Sequence, residues 1–300
     1  MATGEQTVVA CYGVTKLDRE MYDRTWEVVG TLERAGLAVI ALVCDGAAMN
    51  TSFFQMHPPV TKTKTGAVFD TVNIYAPHRI IYFITDAPHL LKTARNCLYN
   101  SGRPSKKKSK EKSSVQVQSK TQQTGKKEEF VRNMKKNGQE MQWKTVVRVY
   151  NELKDNTIRT AYKLNQEDVF LTSYSIMRVS LAAHVLSRSL ATEIRLRGWS
   201  ECSELANFCE VMNDLFDMLN GKSAYQAVIT RNDLLATYSK PDDFRFLLLL
   251  QKWKYFEEWM AEVEALPSSV SAAERGRRLL SRQTLESLER TIKGFTGECD

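Results

Sequence analysis

The chain has 300 residues, 43% of them apolar and 26% charged, with a net charge of +7. That composition excludes a wholly disordered chain, and no apolar run approaches the roughly eighteen residues of a membrane helix. The length suits one large domain or two ordinary ones. The N-terminal MATGEQTVVACYG has neither the basic flank nor the apolar core of a signal sequence, so an intracellular protein with no membrane partner is expected.

QTVVACYGV (6–14) predicts a strand. EMYDRTWEVVGTLERAG (20–36) places Met21, Trp26, Val29 and Leu32 at helical spacing, with Gly36 as the stop. LAVIALVC (37–44) is a continuous apolar run of the kind found in strands covered on both faces. RIIYFIT (79–85) is a second such run. DAPHLLKTARNCL (86–98) then predicts a helix capped by Asp86, with Pro88 in its first turn.

Residues 101–136 break this α/β pattern. They hold twelve Lys/Arg and three Glu, a net of +9, so the remaining chain is close to −2. Lys, Ser and Gln dominate and large apolar residues are scarce, which predicts a flexible basic linker. Its charge suits contact with nucleic-acid backbone or a nuclear address. Beyond it the periodicity is helical: WKTVVRVYNELK (143–154), a single long segment over 175–196, SELANFCEVMNDLFDMLN (203–220) stopped by Gly221, then 242–266 and 281–295.

Few residues carry chemistry by pattern alone. Asp45 stands at the carboxyl end of an apolar strand, the edge of an open α/β sheet where ligands and metals bind, or else caps the segment after it. Asp86 follows the next strand and reads better as a helix cap; His89 lies in the first turn behind it. Asp217 and Asn220 share a helix face in a last turn, where a carboxylate meets the negative end of the dipole and needs a cation, a ligand or water to offset it. The six cysteines (11, 44, 97, 202, 209, 299) form no close pair, which argues against a zinc site. Gly221-Lys222-Ser223 lacks the earlier glycine of a phosphate-binding loop, because Phe216 stands there, and VTKLD (14–18) has no such loop to serve. No GxSxG or HExxH occurs.

Four stretches taken together, ALVCDGAAMNTSFFQMH, FITDAPHLLKTARNCL, LTSYSIMRVSLAAHVLSRSLA and MNDLFDMLN, resemble the P-element transposase family, including its transposase-like members that carry a THAP zinc finger. The resemblance covers about residues 25–225. It implies a partial RNase H-like core over 1–100, the linker over 101–136, a mainly helical GTP-binding insertion domain over 137–265, and a helical tail over 266–300 that begins the return to the core.

By the same resemblance, Asp45 matches the second of three acids that hold divalent metal, Mg2+ or Mn2+, for DNA cutting and joining. Asp217 and Asn220 match a pair that reads guanine, with Phe216 beside them and Lys163 and Ser187 as looser nucleotide contacts. DNA, guanine nucleotide and further copies of the chain are the implied partners, and the nucleus the implied location. The first acid is expected upstream and the third in a DxxE-like segment, so a chain with one acid is not expected to transpose alone. The rival expectations are a non-catalytic interaction or oligomerisation protein, and a nuclease subunit completed by a longer product or a partner.

Overall fold

The computed structural model describes residues 19–105, 130–221 and 223–297. The expected strand at 6–14, the middle of the basic tract, Lys222, Cys11 and Cys299 lie outside them. In chain order the elements are α1 (Arg19–Arg34), β1 (Ala41–Cys44), α2 (Ala48–Gln55), β2 (Asp70–Val72), β3 (Ile80–Thr85), α3 (Ala87–Tyr99), β4 (Lys135–Lys136) and β5 (Gln139–Glu140). The remainder is helical: α4 (Trp143–Leu153), α5 (Gln166–Val169), α6 (Val179–Val185), α7 (Arg188–Leu196), α8 (Ser203–Leu219), α9 (Ala224–Thr230), α10 (Phe244–Glu264), α11 (Ala272–Arg278) and α12 (Arg282–Thr296). None of these helices is long and apolar enough to cross a membrane.

The chain forms two compact units. Among the described residues, the first draws on 19–91, 214–257 and 282–297, and the second on those within 92–213 and 258–281.

In the first unit, α1 carries Glu20 in its first turn and Arg34 in its last, each complementing the helix dipole. It closes through paired bonds, Gly36 N–H to Glu33 C=O and Leu37 N–H to Leu32 C=O, both 3.0 Å. The sheet order is β1-β3-β2, with β1 parallel and β2 antiparallel to β3. Trp26 and Val29 of α1, Phe53 and Phe54 of α2, and Ile81 and Phe83 of β3 share one apolar core. The Phe54 and Phe83 rings stack at 4.6 Å. α12 lies along β3. Thr291 Oγ1 accepts from Thr85 N–H and donates to Thr85 C=O, both at 2.9 Å. A β-carbon on Gly294 would sit 2.6 Å from the Phe83 carbonyl oxygen, so the helix backbone reaches the strand only because glycine stands there.

One sequence expectation changes here. The run at 37–44 is not covered on both faces: only Ala41–Cys44 is strand, with Val43 62% and Ile40 66% exposed. Among the described residues β1 pairs with β3 alone, so one side of it lacks the cover an internal parallel strand has.

In the second unit, the segment over 175–196 is not one helix. It is a 3₁₀ turn at Ser175–Met177, then α6, then α7. Leu186 leaves helical geometry (φ −84°, ψ 65°). Ser187 Oγ then accepts from Leu190 N–H and donates to His184 C=O, restarting the helix while closing the previous one. The described ends of the tract expected as a flexible linker over 101–136 have regular pairing, with Ser101 bridged to Arg132 and Pro104 to Phe130, and β4 begins at Lys135. The core of this unit gathers Leu190, Ile194, Leu205, Phe208 and Trp259. The last two meet edge to face at 6.1 Å, and Trp259 Nε1 donates to Lys135 C=O at 2.7 Å.

Candidate functional site

Two places in the first unit carry all of the singled-out residues except Lys163 and Ser187. One is the carboxyl edge of the sheet. The register pairs Cys44 with Thr85, so Asp45 and Asp86 leave adjacent strands at the same end. Asp86 N–H donates to Cys44 C=O at 2.9 Å, which carries the pairing one residue past the strands. Asp86 Oδ2 accepts from His89 N–H at 3.1 Å, the capping bond expected at the start of α3.

Asp45 is exposed. Its Oδ1 accepts from Ala47 N–H at 2.9 Å and from Asn50 Nδ2 at 2.7 Å, so it also organises the entry to α2. Asp45 is not the N-cap of α2, which is Ala47 without a side-chain cap bond; its carboxylate forms a turn two residues ahead of the helix and holds Asn50. Gly46 permits a tight rim, because a β-carbon there would lie 2.5 Å from Cδ2 of His89. Gln283 at the start of α12 donates to Gly46 C=O at 2.7 Å. Arg290, one of the largest fully buried side chains, donates through Nε to Val68 C=O and sits with Nη1 3.5 Å from Thr85 Oγ1. Burial lowers its pKa to about 10.

The rim therefore presents two carboxylates and an imidazole. Among the described residues no three His, Cys, Asp or Glu side chains converge as a metal site. A two-metal centre needs more acidic ligands than this edge offers.

The second place is the end of α8. Phe216, Asp217 and Asn220 are half-buried. Asp217 Oδ2 accepts from Asn232 Nδ2 at 2.8 Å, which supplies part of the compensation that its place at the negative helix end demands. The helix closes with Asn220 N–H on Phe216 C=O at 2.9 Å. The following segment is fixed from below. Tyr238 O–H donates to Met218 C=O, and buried Arg245 donates to the carbonyls of Ala236 and Thr237 while pairing with Asp243 at 2.7 Å. Arg245 also lies 3.8 Å above the Tyr238 ring. The arrangement can offer a carboxylate and an amide, one helical turn apart, to the edge of a planar base.

Lys163 and Ser187 belong to the second unit. Lys163 is exposed, its Nζ 5.6 Å from the Tyr162 ring centroid. Ser187 is the buried cap of α7 described above. Asn232 and Gln283 were missed by sequence reading. Asn232 precedes a 3₁₀ turn and looks like any cap, and Gln283 is one polar residue in a polar helical turn, so neither carried a pattern.

Residues 126–232 match the family model described as the TNP-like GTP-binding insertion domain. The Transposable element P transposase of Drosophila melanogaster is 23% identical over 201 residues, 65% of this chain and 22% of the relative. The fold is also similar to that of the solved Drosophila P element transposase strand transfer complex, with a TM-score of 0.60, 18% identity, 91% of this chain covered and 53% of the other. The chain is P-element transposase-like. It spans about a fifth of that curated relative and about half of the solved chain.

Proposed function

We propose that this transposase-like chain binds guanine nucleotide through Asp217 and Asn220. The observation that carries the reading is their position: Asp217 stands in the last turn of α8 and Asn220 directly follows its final residue, Leu219, inside the matched GTP-binding segment. A carboxylate accepts the two N–H groups of guanine's Watson–Crick edge, which adenine lacks, and the Asn220 amide can both donate and accept beside it. Phe216 adjoins the pair. Lys163 and Ser187 lie in the other unit, and the reading rests on Asp217 and Asn220 alone.

We read the first unit as part of an RNase H-like core, with Asp45 held at a sheet edge to serve as a metal ligand. Mg2+ or Mn2+ there requires further acidic groups from outside these residues, so phosphodiester chemistry belongs to a larger assembly. DNA is the proposed partner of the basic tract, which we also read as a nuclear address.

The test is thermal denaturation of the full chain with GTP and with ATP. A ligand at a hundred times its Kd stabilises by about 2.7 kcal/mol. GTP should raise the melting temperature, ATP far less, and Asp217→Ala should erase the difference. An unchanged GTP shift in that variant refutes the assignment. Removing residues 103–127 should weaken DNA binding and flatten its dependence on salt; equal affinity at all salt levels refutes the contact.

A further inference from the structure

The second unit contains a cavity of about 520 Å³, walled by the turn at 101–104, the start of α4 and residues 169–171. That is well within the roughly 300–1,000 Å³ of small-molecule sites. It shares no residue with the guanine-reading pair. Half of its lining is apolar or aromatic, Val147, Val169 and Leu171 with Tyr99, Trp143 and Phe170, and Ser101 and Gln142 are polar. The rings are placed by specific contacts. Tyr99 meets Trp143 edge to face at 5.1 Å, and Trp143 Nε1 donates to Val169 C=O at 3.1 Å, tying two walls together. Phe170 is 52% exposed although its ring touches Tyr150 at 5.9 Å.

Two charged groups line the same space, Arg103 and Lys144, and both are cationic. Among the described residues neither forms an ion pair, and no acidic residue lines the cavity. Arg103 is not on a loose loop. Gly102 N–H donates to Arg132 C=O at 2.9 Å, Val131 N–H to Arg103 C=O at 2.8 Å, Met134 N–H to Ser101 Oγ at 2.9 Å, and Trp143 N–H to Ser101 C=O at 3.2 Å. Its guanidinium stands 5.1 Å from the Tyr99 ring centroid. A guanidinium beside an aromatic wall, on an anchored backbone, can bind a carboxylate or phosphate with two parallel hydrogen bonds, and a lysine adds a point charge.

We propose that this cavity binds a small planar aromatic molecule bearing an anionic group, its ring against Tyr99 and Phe170 and its anion on Arg103 and Lys144. The test is isothermal titration calorimetry on the full chain with four probes: 1-naphthyl phosphate, 1-naphthoate, the neutral 1-naphthalenemethanol and inorganic phosphate. One or both aromatic anions should bind saturably, about ten-fold or more tighter than either the neutral ring or the bare anion, the discrimination of one charge-assisted bond. Which of the two binds tighter identifies the anion.

Arg103→Gln and Lys144→Gln, at exposed positions, should each weaken the aromatic anions about ten-fold and leave the neutral probe unchanged. Val147→Trp should fill the space and abolish all aromatic binding. Asp217→Ala should leave binding of the four probes unchanged. No saturable binding, equal affinity for charged and neutral rings, or undiminished affinity in Arg103→Gln with an unchanged melting temperature overturns the proposal. So does loss of probe binding in Asp217→Ala, which would put the probe in the nucleotide site.

Discussion

The indole nitrogen of Trp26 donates to Nε2 of His57 at 3.2 Å, while Nδ1 of the same imidazole lies 3.0 Å from the Phe53 carbonyl. A carbonyl only accepts, so Nδ1 carries the proton. An indole N–H only donates, so Nε2 must keep its lone pair. The ring is neutral by the geometry of both partners, and it is buried at 2% exposure among Tyr22, Phe53 and Phe83.

Stability should follow from that pair. Burial pushes the His57 pKa below its ordinary 6.5. The neutral ring's contribution is then fully present above pH 6.5. It declines as pH falls below that value, because the unfolded chain takes up the proton first, and the decline levels off below the depressed folded value. The slope from one group is at most about 1.4 kcal/mol per pH unit. Urea unfolding between pH 5 and 8 should show it, and His57→Gln, which keeps an acceptor for Trp26 but does not titrate, should flatten it. An identical slope in the variant would mean that another group is responsible.

Gly46→Ala should destabilise the sheet rim by about 1–3 kcal/mol, since its new methyl would overlap the His89 ring and force a shift. The cost should largely vanish in the background of His89→Ala. A double-mutant cycle measures this directly, and strict additivity of the two changes would contradict the packing described.

Ser187→Ala should cost about 1 kcal/mol through loss of the α7 cap, and Ser187→Thr should recover most of it. Chemical denaturation of the three proteins is the check. A Ser187→Ala protein as stable as the parent would show that the hydroxyl has some task other than holding the helix break.

Asn232→Ala should reduce the stabilisation by GTP without abolishing it, because Asn232 fixes the Asp217 carboxylate through a 2.8 Å bond. Asn232→Asp should reduce it further by setting like charges together. Thermal shifts with GTP across the series decide it; a larger shift in Asn232→Asp would mean that the amide competes with the ligand.

How much of this was legible depends on range. The stripe Trp26, Val29 was readable because a helix repeats its own pattern, and α1 buries both residues. The break at Leu186-Ser187 was not, because apolar residues flank it on both sides at helical spacing and the cap is one serine among several. The shortness of β1 depends on what lies beside it, which an apolar run does not record. At the candidate sites, Asp45 and Asp86 were each legible as the residue after an apolar strand, and the register sets them at one edge. The bonds that define the surroundings, Gln283 to Gly46 and Asn232 to Asp217, join residues 237 and 15 positions apart and left no local trace.

The Thr85–Thr291 pair spans 206 residues of chain. During synthesis, β3 leaves the ribosome long before its partner helix has been translated. The apolar face that α12 covers must wait, bare or shielded by a chaperone, until residues 282–296 have been translated. Searching so far along the chain for that contact makes completion of the sheet a late and slow event. A message cut short before residue 282 would release a polypeptide with that face still open, a target for proteases or a seed for aggregation.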